Sequence, residues 1–275
     1  MSIKEPAIKW SGSKRSQAAE ILKYFPMDID TYYEPFCGGA SVFRALVSSG
    51  IQVKNYVLSD INGDLISLWK EIREKPYEVG CHYEQLWHEL NKDDDLERKK
   101  TFFNEIRDRF NKEKDPLDFM FIMRTTTNGM PRYNRSGEFN NSFHITRNGI
   151  EPAKLYGILY EWSRILEDAV IKECSYQDIH PEKNDFMYLD PPYANTKGMY
   201  YGKIDYDGLW NYLRNLPCPY VLSFDGISGS SDNTYAVPDF YDEHIYIRSG
   251  NSSFKRTIGR NTNATVYESL YIKGV

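Results

Sequence analysis

The feature that most restricts the fold is an alternation between residues 31 and 74. "TYYEPF" (31–36) reads as a buried strand. "GGASVFRALVSSG" (38–50) reads as a turn and then a helix closed by Gly50. "YVLSD" (56–60) is a second strand and "GDLISLWKEIRE" (63–74) a second helix. Strand–helix spacing of this kind predicts parallel strands joined by crossover helices. Such a sheet is buried on both faces and demands a large apolar core. With 275 residues, 41% of them hydrophobic and 27% charged, the chain can supply one.

The remaining elements follow from periodicity. "RSQAAEILKYF" (15–25) predicts a helix that stops at Pro26. Residues 75–123 break the alternation, with amphipathic helices over 77–90 and 96–113 and an apolar segment, "LDFMFIM", at 117–123. Residues 124–149 are rich in Asn, Arg, Gly, Ser and Thr and predict a loop and a β-hairpin around Ser136–Gly137. A helix is expected over 152–166, strands over 169–173, 186–189 and 219–224, and a helix over 206–216. "EHIYIRS" and "TVYESLYIK" complete the sheet. The expected organisation is an α/β catalytic domain (1–61 and 164–275) interrupted by a helical and hairpin insertion (62–163).

Several classes are disfavoured. No apolar run approaches the roughly 20 residues a membrane helix needs. "MSIKEPAIKWSGSK" has no signal-peptide core, so a cytoplasmic location is expected. Cys37, Cys81, Cys174 and Cys218 are scattered without CxxC spacing, which predicts neither a zinc site nor a disulfide framework, and no metal is expected. The net charge of −5 leaves nucleic-acid binding open, because phosphate contacts are local. Residues 124–149 hold Arg124, Arg132, Arg135 and Arg147 against Glu138, a local balance of +3.

Three segments carry chemistry. "EPFCGGAS" (34–41) follows a strand and opens a helix, where glycines allow close backbone approach to a ligand. Asp60 ends the next strand, about 20 residues on, where a carboxylate suits ribose hydroxyls. Its bland alternative is an N-cap for the following helix. The segment lacks both GxGxxG and GxxxxGK[ST], which favours a nucleoside without a pyrophosphate. "FMYLDPPYANTKG" (186–198) ends an apolar strand in a carboxylate, two rigid prolines and a tyrosine. It is either ordinary turn chemistry or a grip on a flat, amine-bearing ring.

"IKWSGSKR" (8–15), "FCGGAS" (36–41), "SDIN" (59–62), "NGMPRYNRSGEFN" (128–140) and "YLDPPY" (188–193) occur in this order along the chain. Together they resemble the Dam-like (D12 class) DNA adenine-N6 methyltransferases with the alpha order of motifs. The resemblance implies a Rossmann-like methyltransferase sheet with an inserted helical and β-hairpin DNA-recognition domain. It implies S-adenosylmethionine as cofactor, double-stranded DNA as partner and base flipping. GATC is the target that the best-known members modify.

By that resemblance, Asp190 and the Pro191 carbonyl accept hydrogen bonds from the adenine N6 amine and aim its lone pair at the sulfonium methyl. Pro191 and Pro192 fix the turn, and Tyr193 stacks on the extruded base. Trp10, Ser11, Gly12 and Lys14 close over the methionine end of the cofactor. The backbone of Phe36, Cys37, Gly38 and Gly39 lines it, Asp60 holds the ribose, and Tyr176 and Asp178 meet the adenine. In the insertion, Arg132 reads a guanine edge, while Arg124, Asn128, Tyr133, Asn134, Asn140 and Arg147 shape the hairpin or contact DNA. After Asn140 the chain reads "NSFHITRNG" where the best-known members have a proline-containing stretch. Methylation of RNA adenine, or a catalytically silent DNA-binding module, are the other readings the sequence allows.

Overall fold

The expected alternation is present in the computed structural model, which describes residues 5–193, 204–228, 231–232, 237–251 and 265–275. In chain order the elements are α1 (Ala18–Ile21), β1 (Asp28–Glu34), α2 (Ser41–Val47), β2 (Gln52–Asp60), α3 (Gly63–Glu74), α4 (Pro76–Leu90), α5 (Leu96–Glu113), α6 (Pro116–Thr125), α7 (Pro152–Ile165), β3 (Ala169–Glu173), β4 (Phe186–Leu189), α8 (Tyr206–Arg214), β5 (Tyr220–Ser228), β6 (Ser231–Asp232), β7 (Glu243–Asn251) and β8 (Thr265–Lys273). They fall into two compact units. Of the described residues, one holds 5–13 and 60–173; the other holds 14–59, 174–193 and the described part of 204–275. The first is larger than the expected insertion at 62–163, since it also takes the N-terminal segment and β3.

In the second unit the strands run in the order β2-β1-β4-β5-β8-β7, with β6 against β5. β1 is parallel to β2 and β4, and β4 is parallel to β5. β8 pairs antiparallel with β5 and β7. All four residues of β4 are buried, as a central parallel strand requires. After β1 the chain turns to β2 on one side, and β4 lies on the other. The crevice beyond the carboxyl ends of β1 and β4 is therefore a topological switch point, the place where open α/β sheets take ligands. β1 starts earlier than expected, because Met27 to Glu34 is held by pairing with Gln52 to Leu58. α1 is shorter than the predicted helix. The amides of Gln17 and Ala18 both bond to the Lys14 carbonyl, and this turn buries the side chains of Lys14 and Gln17 instead of extending the helix.

The first unit packs α3 to α7 around aromatic side chains. Trp69 and Trp162 lie 4.9 Å apart between ring centres, and Phe110 stacks on Phe119 at 5.1 Å. Proline opens α4, α6 and α7, where its missing N–H costs nothing. The apolar run at 117–123 is a helix buried all round. The expected hairpin forms a tight turn with two isolated antiparallel bridges, Tyr133 to Phe139 and, further out, Thr126 to Phe143. The Asn134 amide bonds to the Glu138 carbonyl at 2.9 Å and the Asn140 amide to the Arg132 carbonyl at 2.9 Å. Buried Phe139 anchors the turn, clasped at both backbone groups by Asn111. Among the described residues no helix is long and apolar enough to cross a membrane.

Candidate active site

Two strand ends build the site in the second unit. β1 ends at Glu34, and the chain enters the buried turn Cys37–Ala40. Gly38 (φ 45°) and Ala40 (φ 48°) adopt left-handed backbone there, and Gly38 does so without a side-chain penalty. The Cys37 amide is tied to the Ser59 carbonyl at 3.0 Å. The Phe36 ring lies 5.5 Å from that of Tyr176, so the two form an aromatic wall. β4 ends at Leu189, and Asp190, Pro191, Pro192 and Tyr193 follow. The hydroxyl of Tyr206, at the start of α8, donates to the Pro192 carbonyl at 3.2 Å and holds the turn.

Asp190 belongs to a buried polar network. Its carboxylate lies 2.8 Å from Lys14 Nζ, and Glu268 on β8 lies 3.2 Å from the same nitrogen. Gln17 Nε2 donates to Glu268 Oε2 at 2.8 Å, and the Tyr193 hydroxyl donates to Glu268 Oε1. Lys14 Nζ also sits 5.0 Å from the centre of the Tyr193 ring, a cation–π distance. Tyr193 meets Phe224 edge-on at 5.9 Å. One lysine thus serves two carboxylates and one ring.

The electrostatics follow from burial and these neighbours. Burial pushes the Asp190 carboxyl up to about 6; Lys14 opposes the shift and Glu268 adds to it. Burial alone would lower Lys14, but Asp190 and Glu268 outweigh it and hold the ammonium well above its ordinary range. Glu34 is pushed up to about 8, chiefly by burial, against the hydrogen bonds it accepts from the Tyr32 hydroxyl (2.7 Å) and the Phe43 amide (2.9 Å). At neutral pH the site holds an ionised Asp190 beside a lysinium and a neutral Glu34.

The first unit holds Asp60, Trp10, Ser11, Gly12 and the residues of the hairpin segment. Asp60 ends β2 half-buried, and its Oδ1 accepts the Asn62 amide at 3.0 Å. The N-cap of α3 is Asn62, whose Oδ1 accepts from Leu65, so the cap reading of Asp60 is excluded. Trp10 is half-buried, the Ser11 amide bonds to the Gly129 carbonyl at 2.8 Å, and Gly12 is exposed with φ 80°. Arg132, Asn140 and Arg147 are exposed on the hairpin segment, as is Asn128. Among the described residues no carboxylate pairs with Arg132, Arg135 or Arg147.

Three expectations change. Arg124 is not presented for DNA: its guanidinium donates to the Pro6 and Ala7 carbonyls, and burial lowers its pKa to about 10. Asn134 is spent inside the turn, accepting from the Ser136 and Glu138 amides and donating to the Glu138 carboxylate. Asp178, in the second unit, closes a capping box with Ser175, the turn role that a strand-ending aspartate often has. Gln17, Glu34 and Glu268 were missed. Their signal is a polar side chain within an apolar pattern: Glu268 alternates with buried Leu270 and Ile272 on one face of β8.

Comparison with known proteins shows the family. The model of the D12 class N6 adenine-specific DNA methyltransferase family matches residues 10–229. The chain is 30% identical over 255 residues to the Type II methyltransferase M.CviBI of Paramecium bursaria Chlorella virus NC1A, covering 88% of each chain. It is 30% identical to the Type II methyltransferase M.MjaIII of Methanocaldococcus jannaschii, covering 70% of each. It is 31% identical to the DNA adenine methylase of Escherichia coli K12, covering 68% of this chain and 64% of that one.

Proposed function

Since the chain belongs to the D12 class of N6 adenine-specific DNA methyltransferases, we propose that it methylates the N6 amine of an adenine flipped out of double-stranded DNA, using S-adenosylmethionine. The cofactor supplies a methyl group on a sulfonium. The donor set fits such a ligand. In the second unit the turn at Cys37–Ala40 offers backbone without a pyrophosphate clamp, and Phe36 and Tyr176 offer an aromatic wall; Asp60 is assigned to the ribose, as the family motif suggests. Trp10, Ser11, Gly12 and Lys14 are assigned to the methionine end, as the family motif suggests.

The single observation that carries the reading is Asp190. It stands at the switch point, ionised above about pH 6 and fixed on one side by Lys14. A ring-conjugated amine is a poor nucleophile. A carboxylate acceptor and the Pro191 carbonyl turn its lone pair out of the ring, and rigid prolines hold that orientation. With the cofactor bound, the nitrogen lone pair would form the new N–C bond as the sulfonium S–CH3 bond breaks and the sulfur leaves as a neutral thioether, and the cationic nitrogen would then release a proton to solvent. The Tyr193 ring offers a stacking face for the extruded base. Arg132 is assigned to a guanine edge and Arg147, Asn128 and Asn140 to the duplex. Arg124 and Asn134 are assigned to bracing. GATC is the first sequence to test.

The test is incubation with methyl-tritiated S-adenosylmethionine and duplex DNA, then separation of the nucleosides. Label in N6-methyladenine of duplex DNA is the expected result. Label in N4-methylcytosine, or in structured RNA in preference to DNA, overturns the reading.

A further inference from the structure

Glu268 lies far along the chain from the motif residues, yet it touches three side chains of the site. Its carboxylate faces Lys14 from the segment before α1, Gln17 from the same segment, and Tyr193 from the turn after β4. Asp190, Glu34 and Tyr188 are the other titratable groups around this centre. The backbone aims it there. Between Ser223 and Gly226 β5 carries one extra residue, with Asp225 at φ 50°, and Gly226 stands opposite Glu268. A Cβ on Gly226 would lie 2.0 Å from the Tyr267 carbonyl oxygen, so the close approach needs glycine. Bulges beside active sites commonly re-aim a side chain in this way.

We propose that Glu268 is a positioning residue for methyl transfer: it anchors the Tyr193 hydroxyl and shares Lys14 with Asp190, and so fixes both the stacking ring and the amine acceptor. The inference rests on the function proposed above. A neutral side chain at 268 leaves Lys14 to Asp190 alone, which makes Asp190 easier to ionise. A group that only filled space would not have this effect.

The experiment compares wild type with Glu268→Gln in single-turnover transfer of labelled methyl to duplex DNA across pH 5–9, with cofactor and DNA affinities measured alongside. The expected result is a rate roughly ten- to hundredfold lower, nearly unchanged affinities, and an acid limb moved to lower pH. Wild-type rate and an unmoved limb in the variant overturn the proposal. No transfer by the wild type defeats the proposed function instead. If Glu268→Gln does not fold, Tyr193→Phe and Gln17→Ala each remove one partner and keep the carboxylate. Slowed transfer at unchanged affinities in both supports the role, and wild-type rates in both overturn it.

Discussion

Replacing Lys14 by methionine removes the cation that, among the described residues, Asp190 and Glu268 share. Lys14 and Glu268 are nearly inaccessible, with side-chain exposures of 6% and 9%, and Asp190 keeps 19%. Water therefore compensates little. Breaking a buried pair by removing one partner costs about 3–5 kcal/mol, because the remaining charge stays desolvated. For a chain of this size that is a fall in melting temperature on the order of 10 °C. The sign with pH is fixed. Asp190 already holds its proton up to about pH 6, and without the lysine it holds it to higher pH still. An unfolded chain releases the same proton near pH 4. The variant should thus lose stability as pH rises, and its deficit against wild type should be smaller at pH 5 than at pH 8. Urea denaturation at both pH values measures this. A deficit below about 1 kcal/mol, or one equal at both pH values, would refute the shared-cation account.

Three further outcomes are expected. Asp60→Ala should weaken S-adenosylmethionine binding by about 1.5–3 kcal/mol through loss of a charge-assisted hydrogen bond, and calorimetry on the enzyme reads it; an unchanged affinity removes Asp60 from the cofactor site. Glu34 keeps a proton in the fold up to about pH 8 that the unfolded chain releases near its ordinary value, so wild-type stability falls as pH rises through that window. From pH 7 to 9 wild type should lose roughly 1–2 kcal/mol that Glu34→Gln keeps, and parallel slopes in a pH series of melts would contradict this. Arg132→Ala should lower discrimination at one base pair by roughly 1–3 kcal/mol, whereas equal loss on every single-base target variant would mean that it touches only phosphate.

The sequence reveals what periodicity and short motifs encode. The alternation from Thr31 to Glu74 predicts the parallel strands, and "DPPY" predicts the turn after β4. The hairpin at Ser136–Gly137 is legible because Asn and Gly announce a turn and Phe139 is its apolar anchor. What depends on distant partners is not legible. Gln17 reads as a helix-forming polar residue and Lys14 as a cofactor residue of the first motif, because their partner Glu268 is 251 or more residues away. Glu268 reads as one polar position in an alternating strand, because the bulge that aims it lies on β5. Arg124 counts as positive charge on a basic segment, although the fold spends its guanidinium on the carbonyls of Pro6 and Ala7. Asp60 reads in the sequence as either a ribose ligand or a helix cap, and the geometry gives the cap to Asn62.

The central claim is that Asp190 aims the adenine amine for methyl transfer. The most direct measurement is single-turnover methylation of duplex DNA by Asp190→Asn, with cofactor and DNA affinities determined on the same preparation. Asparagine keeps the shape of the side chain but presents a weaker, neutral acceptor beside Lys14. The account predicts a transfer rate lower by roughly a hundredfold or more, with both affinities within a few-fold of wild type. A rate near that of the wild type would contradict it and move the acceptor role away from Asp190.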